Sequence, residues 1–413
     1  MTLRVSAAQR QGRLVERQLL GAQATTVGGV TTVDGVAESL VALHGTDPVT
    51  VYLSVWARSG CSVGDVDTAL YAERSVVRML GMRRTVFVVP AGLAGVVQAA
   101  CTDDVAVRLR RQLVKDLTSG GVGVGDAGRD GDAGSWLRSV EDGVLRALAA
   151  RGGGAAGAKL AEDEPRLRTQ LTYALDKSYG GAAYITSRVL VLIAAEGRIV
   201  RGHRRGGWSS GQFEWFLPEA WLGRGADGGE LAAEGLGTGV DASAARVELA
   251  RRWLAVFGPA PAADLQWWAG WTGAQTKAAL AALPTAGVDL DGQPGVVLAD
   301  DLEFPAAPPP AALLPGLDPT PMGWQSRSWF LGPHAPPLFD RTGNIGPTVW
   351  RAGRVVGGWA QRASGEVVYR LLEDIGGDGE TAVAAQAQRL EAWLGETRVT
   401  PRFRTPLERE LTA

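Results

Sequence analysis

Arg198-Ile199-Val200-Arg201-Gly202-His203-Arg204-Arg205-Gly206-Gly207-Trp208 is a strand-like run that breaks at two glycines. Gln212–Leu217 resumes it, so the two runs read as a hairpin. Upstream, Tyr184–Glu196 has helical apolar spacing, and Gly197 supplies a C-terminal stop. Trp136–Ala150 and Arg166–Ala174 read as two earlier helices. Helices closed by a strand pair outline a winged helix-turn-helix, with the hairpin as its wing.

The same outline can be read on both sides. Before it, Asp34–Leu43 reads as a helix with Asp34 as N-cap, and Val49–Arg58 as a second, entered through Asp47-Pro48. Asp65–Leu80 reads as a third helix and Arg83–Pro90 as a strand. After it come Asp241–Phe257, Ala262–Trp271 and Lys277–Leu283, with Thr272 as a cap. Val288–Leu298 then reads as a hairpin around Asp291-Gly292-Gln293. From about residue 311 the chain turns β-rich. Pro347–Trp350 and Arg354–Trp359 flank Ala352-Gly353, and Glu366–Glu373 could be a further strand. Thr381–Leu394 returns to helix, and the last residues are expected to fray. Gly-rich Ser119–Gly134 and Gly223–Gly239 and Pro-rich Pro305–Pro315 separate these blocks.

Composition narrows the class. The chain has 413 residues, 46% hydrophobic, enough for a sizeable core. No apolar run reaches the roughly 20 residues of a membrane helix, and Met1–Ser6 lacks the apolar core of a secretory signal. Cys61 and Cys101 are too few for a disulfide framework, so a reducing cytoplasm is expected. His44, His203 and His334 lie far apart, and no Cys-x-x-Cys spacing occurs, so neither metal nor other cofactor is expected. A net charge of −2 carries no global nucleic-acid signal. Of the cations, only Lys115, Lys159, Lys177 and Lys277 are Lys. Arg suits phosphate forks, but a GC-rich genome accounts for most of that bias, so placement decides.

Two clusters carry chemistry. In Leu40-Val41-Ala42-Leu43-His44-Gly45-Thr46-Asp47-Pro48, His44 could hold or deprotonate a water, Thr46 could orient it, and Asp47 could support a developing positive sugar. The same residues fit a helix cap, and spacing alone favours the cap. On the wing, Arg198, Arg201, Arg204 and Arg205 with His203 would reach phosphates, unless they form a solvated face. Arg83 and Arg84 are further candidates. Arg74 and Arg78 share a helical face, where ion pairing with Asp65, Asp67 or Glu73 is an equal use. The 14 Trp residues read by default as core.

Several stretches together resemble the tandem winged-helix DNA glycosylases, the AlkZ/YcaQ-like proteins. They are Leu40–Pro48, Val51–Arg58, Met82–Thr85, Gly206–Trp208, Leu313-Leu314-Pro315-Gly316-Leu317-Asp318-Pro319 and Gly353–Trp359. The resemblance covers nearly the whole chain and implies an α+β fold. Winged helix-turn-helix units would span residues 1–118, 119–230 and 231–304, with a β-rich, barrel-like part over 305–413. It also implies a monofunctional glycosylase that binds double-stranded alkylated DNA, acts as a monomer near the nucleoid, and serves repair or self-resistance to a genotoxin. The family pattern at the catalytic turn is Gln-x-Gln or Gln-x-Asp, so His44 and Thr46 stand at the catalytic positions, followed by the matching Asp47-Pro48. Asp318 and Trp324 would border a pocket, Asp318 more readily as a turn former. Two rival readings are a non-catalytic winged-helix DNA-binding protein, regulatory or lesion-sensing, and a protein that sequesters a genotoxic small molecule.

Overall fold

The computed structural model describes residues 3–20, 32–122, 132–173, 180–223, 239–304 and 310–413. The expected loops Ser119–Gly134, Gly223–Gly239 and Pro305–Pro315 fall partly outside these residues. The chain forms two compact units. One comprises Met1–Val77, Thr85–Pro90 and Ser243–Ala413, the other Arg78–Arg84 and Ala91–Ala242.

In the first unit, the helix Pro48–Ser59 is the central element. Asp47 caps it by accepting the Val49 N–H at 3.2 Å, Pro48 opens it, and Gly60 closes it at φ 74°. Its Val and Thr residues favour strand. Every residue from Pro48 to Arg58 is buried, however, and burial on all faces outweighs that local preference.

Two expected helices around it are corrected. The first is Val33–Ser39, capped by Thr32 rather than Asp34, and Val41 in the left-handed region (φ 63°) ends it. Leu43–His44 is then a short strand, antiparallel to Val86–Pro90 with Leu43 opposite Val88 and His44 opposite Phe87. The second is Val63–Asp67, which continues as a π-helix over Thr68–Ala72. Left-handed Arg74 breaks it, and Val76–Leu80 is a strand. All five of those strand residues are buried, so no two-residue alternation marks them. Arg74 and Arg78 therefore share no helical face.

The order helix, short strand, helix, helix, strand, strand recurs twice, and each time the last strand returns to the short one. In the second unit it runs through helix Ala133–Ala150, strand Gly154–Ala156, helix Gly157–Asp163, helix Thr186–Ala195 and strands Val200–Arg204 and Phe213–Phe216, with an extra strand pair inserted between the second and third helices. Gly154 pairs with Phe216. The expected helix Arg166–Ala174 is corrected: Pro165–Arg168 is a single 3-10 turn, and Gln170–Tyr173 is a strand paired with Gly181–Tyr184. Ala174 lies outside the described residues. The third run is helix Ala242–Phe257, a bridge from Ala260 to Val296, helices Ala262–Ala269 and Gly273–Ala281, and strands Thr285–Leu290 and Gln293–Leu298.

The C-terminal part is an open antiparallel sheet and not a barrel. Its order is Ala311–Leu314, Thr348–Arg351, Arg354–Gln361, Val367–Leu371, with no pairing between the outer strands among the described residues. The helix Gly376–Leu394 packs on it. The chain end is helical over Pro406–Leu411, with Leu407 and Leu411 buried, because its apolar side packs against the Arg354–Gln361 strand.

Two hairpins turn at two residues of positive φ, the type I′ geometry: Asp291 and Gly292 (φ 52° and 91°), and Ala352 and Gly353 (φ 49° and 75°). Gly353 is doubly required, since a Cβ there would lie 2.6 Å from the Gln11 carbonyl oxygen. Ala352 is the weak position, because a left-handed alanine gains no local hydrogen bond to offset its strain. Ala352→Asn is expected to stabilise the fold by about 0.5–1 kcal/mol, read calorimetrically as a rise of about 1–3 °C in Tm. An unchanged or lower Tm would refute that account of the turn.

Candidate active site

The turn His44–Asp47 joins the strand Leu43–His44 to the helix Pro48–Ser59. Gly45 sits tight against the neighbouring strand: its N–H donates to the Val86 carbonyl at 2.8 Å, and a Cβ would press on Val86 and Phe87 at 3.3 Å. The His44 ring is 5% exposed and meets the Phe87 ring edge-on at 5.3 Å. Thr46 is half-buried.

Asp47 is 8% exposed and engages main chain with both carboxylate oxygens. Oδ1 accepts the Val49 N–H, and Oδ2 accepts the Arg402 N–H at 3.0 Å. Burial pushes the Asp47 carboxyl up from its ordinary value, against the lowering pull of these N–H groups and the Arg402 charge. A cavity of about 20 Å³ lies beside Asp47, Thr50 and Gly316. It has room for about one water and none for a base.

The helix behind the turn is clamped by the segment Leu313–Pro319. The Thr50 hydroxyl donates to the Gly316 carbonyl at 2.7 Å, and the Ser54 hydroxyl donates to Asp318 Oδ2 at 2.6 Å. At the far end, Arg58 and Asp318 form an ion pair at 2.7 Å with both side chains fully buried. Asp318 also caps the helix Pro319–Met322 through the Thr320 N–H. Asp318 therefore holds the core together. Trp324 is likewise in the core, edge-on to Phe257 at 5.1 Å, with its Nε1–H donated to the Phe257 carbonyl.

Three of the segments that carried the resemblance, Leu40–Pro48, Val51–Arg58 and Leu313–Pro319, thus meet around one helix. Comparison with known proteins bears on the same segments. The model of the family described as "DNA glycosylase AlkZ-like" matches residues 37–393. The chain belongs to the AlkZ-like DNA glycosylase family. Among solved structures it is similar to the Streptomyces sahachiroi DNA glycosylase AlkZ, with a TM-score of 0.66 and 19% identity over 94% of this chain and 98% of that one. At that identity the likeness is one of fold. No protein of curated function matches in sequence.

An AlkZ-like glycosylase needs cations for DNA, and those of the second unit fall into two groups. Arg198 is tied into an acidic network with Glu141, Asp142 and Glu196. Arg201 is 8% exposed and lies under Phe213 and Trp215, at 5.1 and 4.9 Å from their rings. Burial, with Arg78 nearby, pushes its pKa down to about 10. Arg201 does not offer its guanidinium to solvent as a wing contact would, and that of Arg198, partly exposed, is engaged by carboxylates. Further along the hairpin, His203 and Arg205 are exposed and Arg204 is half-buried. The His203 ring stands edge-on to Trp221 at 4.7 Å. Arg83 and Arg84 occupy consecutive left-handed positions, with Arg84 exposed. Arg58 and Arg402 went unassigned in the sequence. A lone Arg directly after the mostly apolar run Val49–Ala57 was the available signal for the first.

Proposed function

We propose that this AlkZ-like protein is a monofunctional DNA glycosylase that hydrolyses the N-glycosidic bond of N7- or N3-alkylated purines in duplex DNA. We read the thrice-repeated helix–strand order as three winged-helix units. The observation that carries the proposal is the set of hydrogen bonds that hold the His44–Asp47 turn, the turn at which the resemblance would put the catalytic residues.

The chemistry asks for little. An N7-alkylated purine is cationic, so its bond to C1′ breaks with the electron pair returning to the base, which leaves neutral. Water adds to C1′, and one of its protons passes to the His44 imidazole or to solvent. Thr46 orients that water, and the Asp47 carboxylate offsets the positive charge on the sugar. No lysine occurs in the Leu40–Ser59 stretch, which favours water over an amine nucleophile. Arg83, Arg84, His203, Arg204 and Arg205 supply phosphate contacts in this reading.

The direct test is release of base from duplex DNA carrying one N7-methylguanine, scored as heat-labile abasic sites. DNA binding with no release, across small and bulky lesions, would favour a non-catalytic lesion-sensing protein. Asp47→Asn removes the charge and keeps the helix cap, because Asn caps a helix about as well as Asp, but its NH2 group cannot accept the Arg402 N–H. We expect a loss of about 1–3 kcal/mol of stability from the unpaired Arg402 N–H and, well below the resulting Tm, base release reduced about 10²-fold, the size of one lost electrostatic contact. Because burial raises the Asp47 pKa, wild-type activity should fall away on acidification at a pH above the ordinary carboxylate range. The sign follows from protonation removing the charge, and the Asn variant should lack that acidic limb. A full-rate Asp47→Asn enzyme would leave Asp47 a cap alone.

A further inference from the structure

We infer that Arg402, from the C-terminal end of the chain, is a DNA-phosphate contact placed at the reacting turn. The inference rests on the reading of His44–Asp47 as the site of base release. Arg402 lies beyond residues 37–393, the stretch that carries the family match.

The segment that bears it is fixed on both sides. Val399 N–H donates to Gln361 Oε1 at 2.9 Å, and Thr405 is buried, its side chain packed against Gly346. Between these points the Arg402 main chain is tied to Asp47 Oδ2 at 3.0 Å. The guanidinium is thereby held beside Thr46, whose carbonyl lies 3.4 Å from Nη1. Its other close neighbour is the Phe403 ring, at 5.8 Å.

Four other arginines of this region are spent on the protein. Arg362 pairs with Glu366, Arg370 with Glu410 and Arg404 with Glu408, and Arg398 is bonded to main-chain carbonyls. Arg402 is exposed, and its guanidinium makes no ion pair within 4.0 Å among the described residues. A guanidinium carried on an anchored backbone, with most of its planar fork toward solvent, suits a phosphodiester oxygen pair. The phosphate so held would flank the nucleotide whose C1′ meets the turn.

Salt dependence reads this out directly. Binding of Arg402→Ala to N7-methylguanine duplex and to its undamaged counterpart would be followed by anisotropy from about 50 to 200 mM salt. We expect about tenfold weaker binding and a log–log salt slope shallower by about 0.9, the loss of one phosphate contact. Arg402→Lys should keep the slope, since it keeps the charge. The single-turnover rate at saturating protein should change less than the affinity. An unaltered slope in Arg402→Ala overturns the inference, whether or not the rate falls. If wild-type protein releases no base but Arg402→Ala still flattens the slope, the phosphate contact stands and the glycosylase reading fails.

Discussion

Arg58→Ala is expected to destabilise the first unit by about 3–5 kcal/mol, because it strands a buried carboxylate. Arg58 uses its whole donor set: Nε to the Gln18 carbonyl, Nη1 to the Ser54 carbonyl and Asp318 Oδ2, Nη2 to Asp318 Oδ1 and Thr320 Oγ1. The five hydrogen bonds run from 2.7 to 2.9 Å, and the side chain is fully buried. Lysine, with three donors on one nitrogen, cannot reproduce that fork, so Arg58→Lys should also destabilise strongly. At about 2–4 °C per kcal/mol for a unit of this size, the melting transition should drop by about 10 °C. The diagnostic variant is Arg58→Met with Asp318→Leu. Removing both charges removes the desolvation cost as well as the attraction, so much of the lost stability should return. A Tm for Arg58→Ala close to wild type would mean that the pair does not bind the Leu313–Pro319 segment to the Pro48–Ser59 helix.

That pair also marks where sequence reading stops. Features written in a few adjacent residues were legible. Asp47-Pro48 as a helix start, Thr272 as a cap, and the hairpins at Asp291-Gly292 and Ala352-Gly353 all depend on local dihedrals and hydrogen bonds. Features made by distant partners were not. Leu43–His44 is a strand only because Val88 and Phe87 lie opposite. Arg58 and Asp318 are 260 residues apart, and Arg402 and Asp47 are 355 apart. Val76–Leu80 was lost for another reason: burial of every residue erases the two-residue period and leaves a run that also fits a helix. The His44–Asp47 turn lies between these cases. Its capping role was local and readable. Its candidacy as a site came from resemblance, and what the structure adds is the set of remote groups that hold it.

His44→Ala should reduce base release by about 10²–10⁴-fold, the range for losing a positioned proton acceptor or water holder. DNA affinity should stay within about twofold, since His44 is nearly buried and contributes no fixed cation to the phosphate term. The informative partner is His44→Gln, which installs the residue that the resemblance would put at this position. A leaving purine that is already cationic needs a water held in line more than a strong base to deprotonate it. A Gln amide can hold that water but cannot take its proton at neutral pH. We therefore expect His44→Gln to retain base release to within about tenfold while His44→Ala loses it. Single-turnover rates on N7-methylguanine duplex, with Tm measured for each variant, decide the matter. If His44→Gln is as inactive as His44→Ala at an unchanged Tm, His44 acts as the general base and the turn works by proton abstraction. If His44→Ala keeps the wild-type rate, the His44–Asp47 turn is a helix cap alone and base release must be sought elsewhere in the fold.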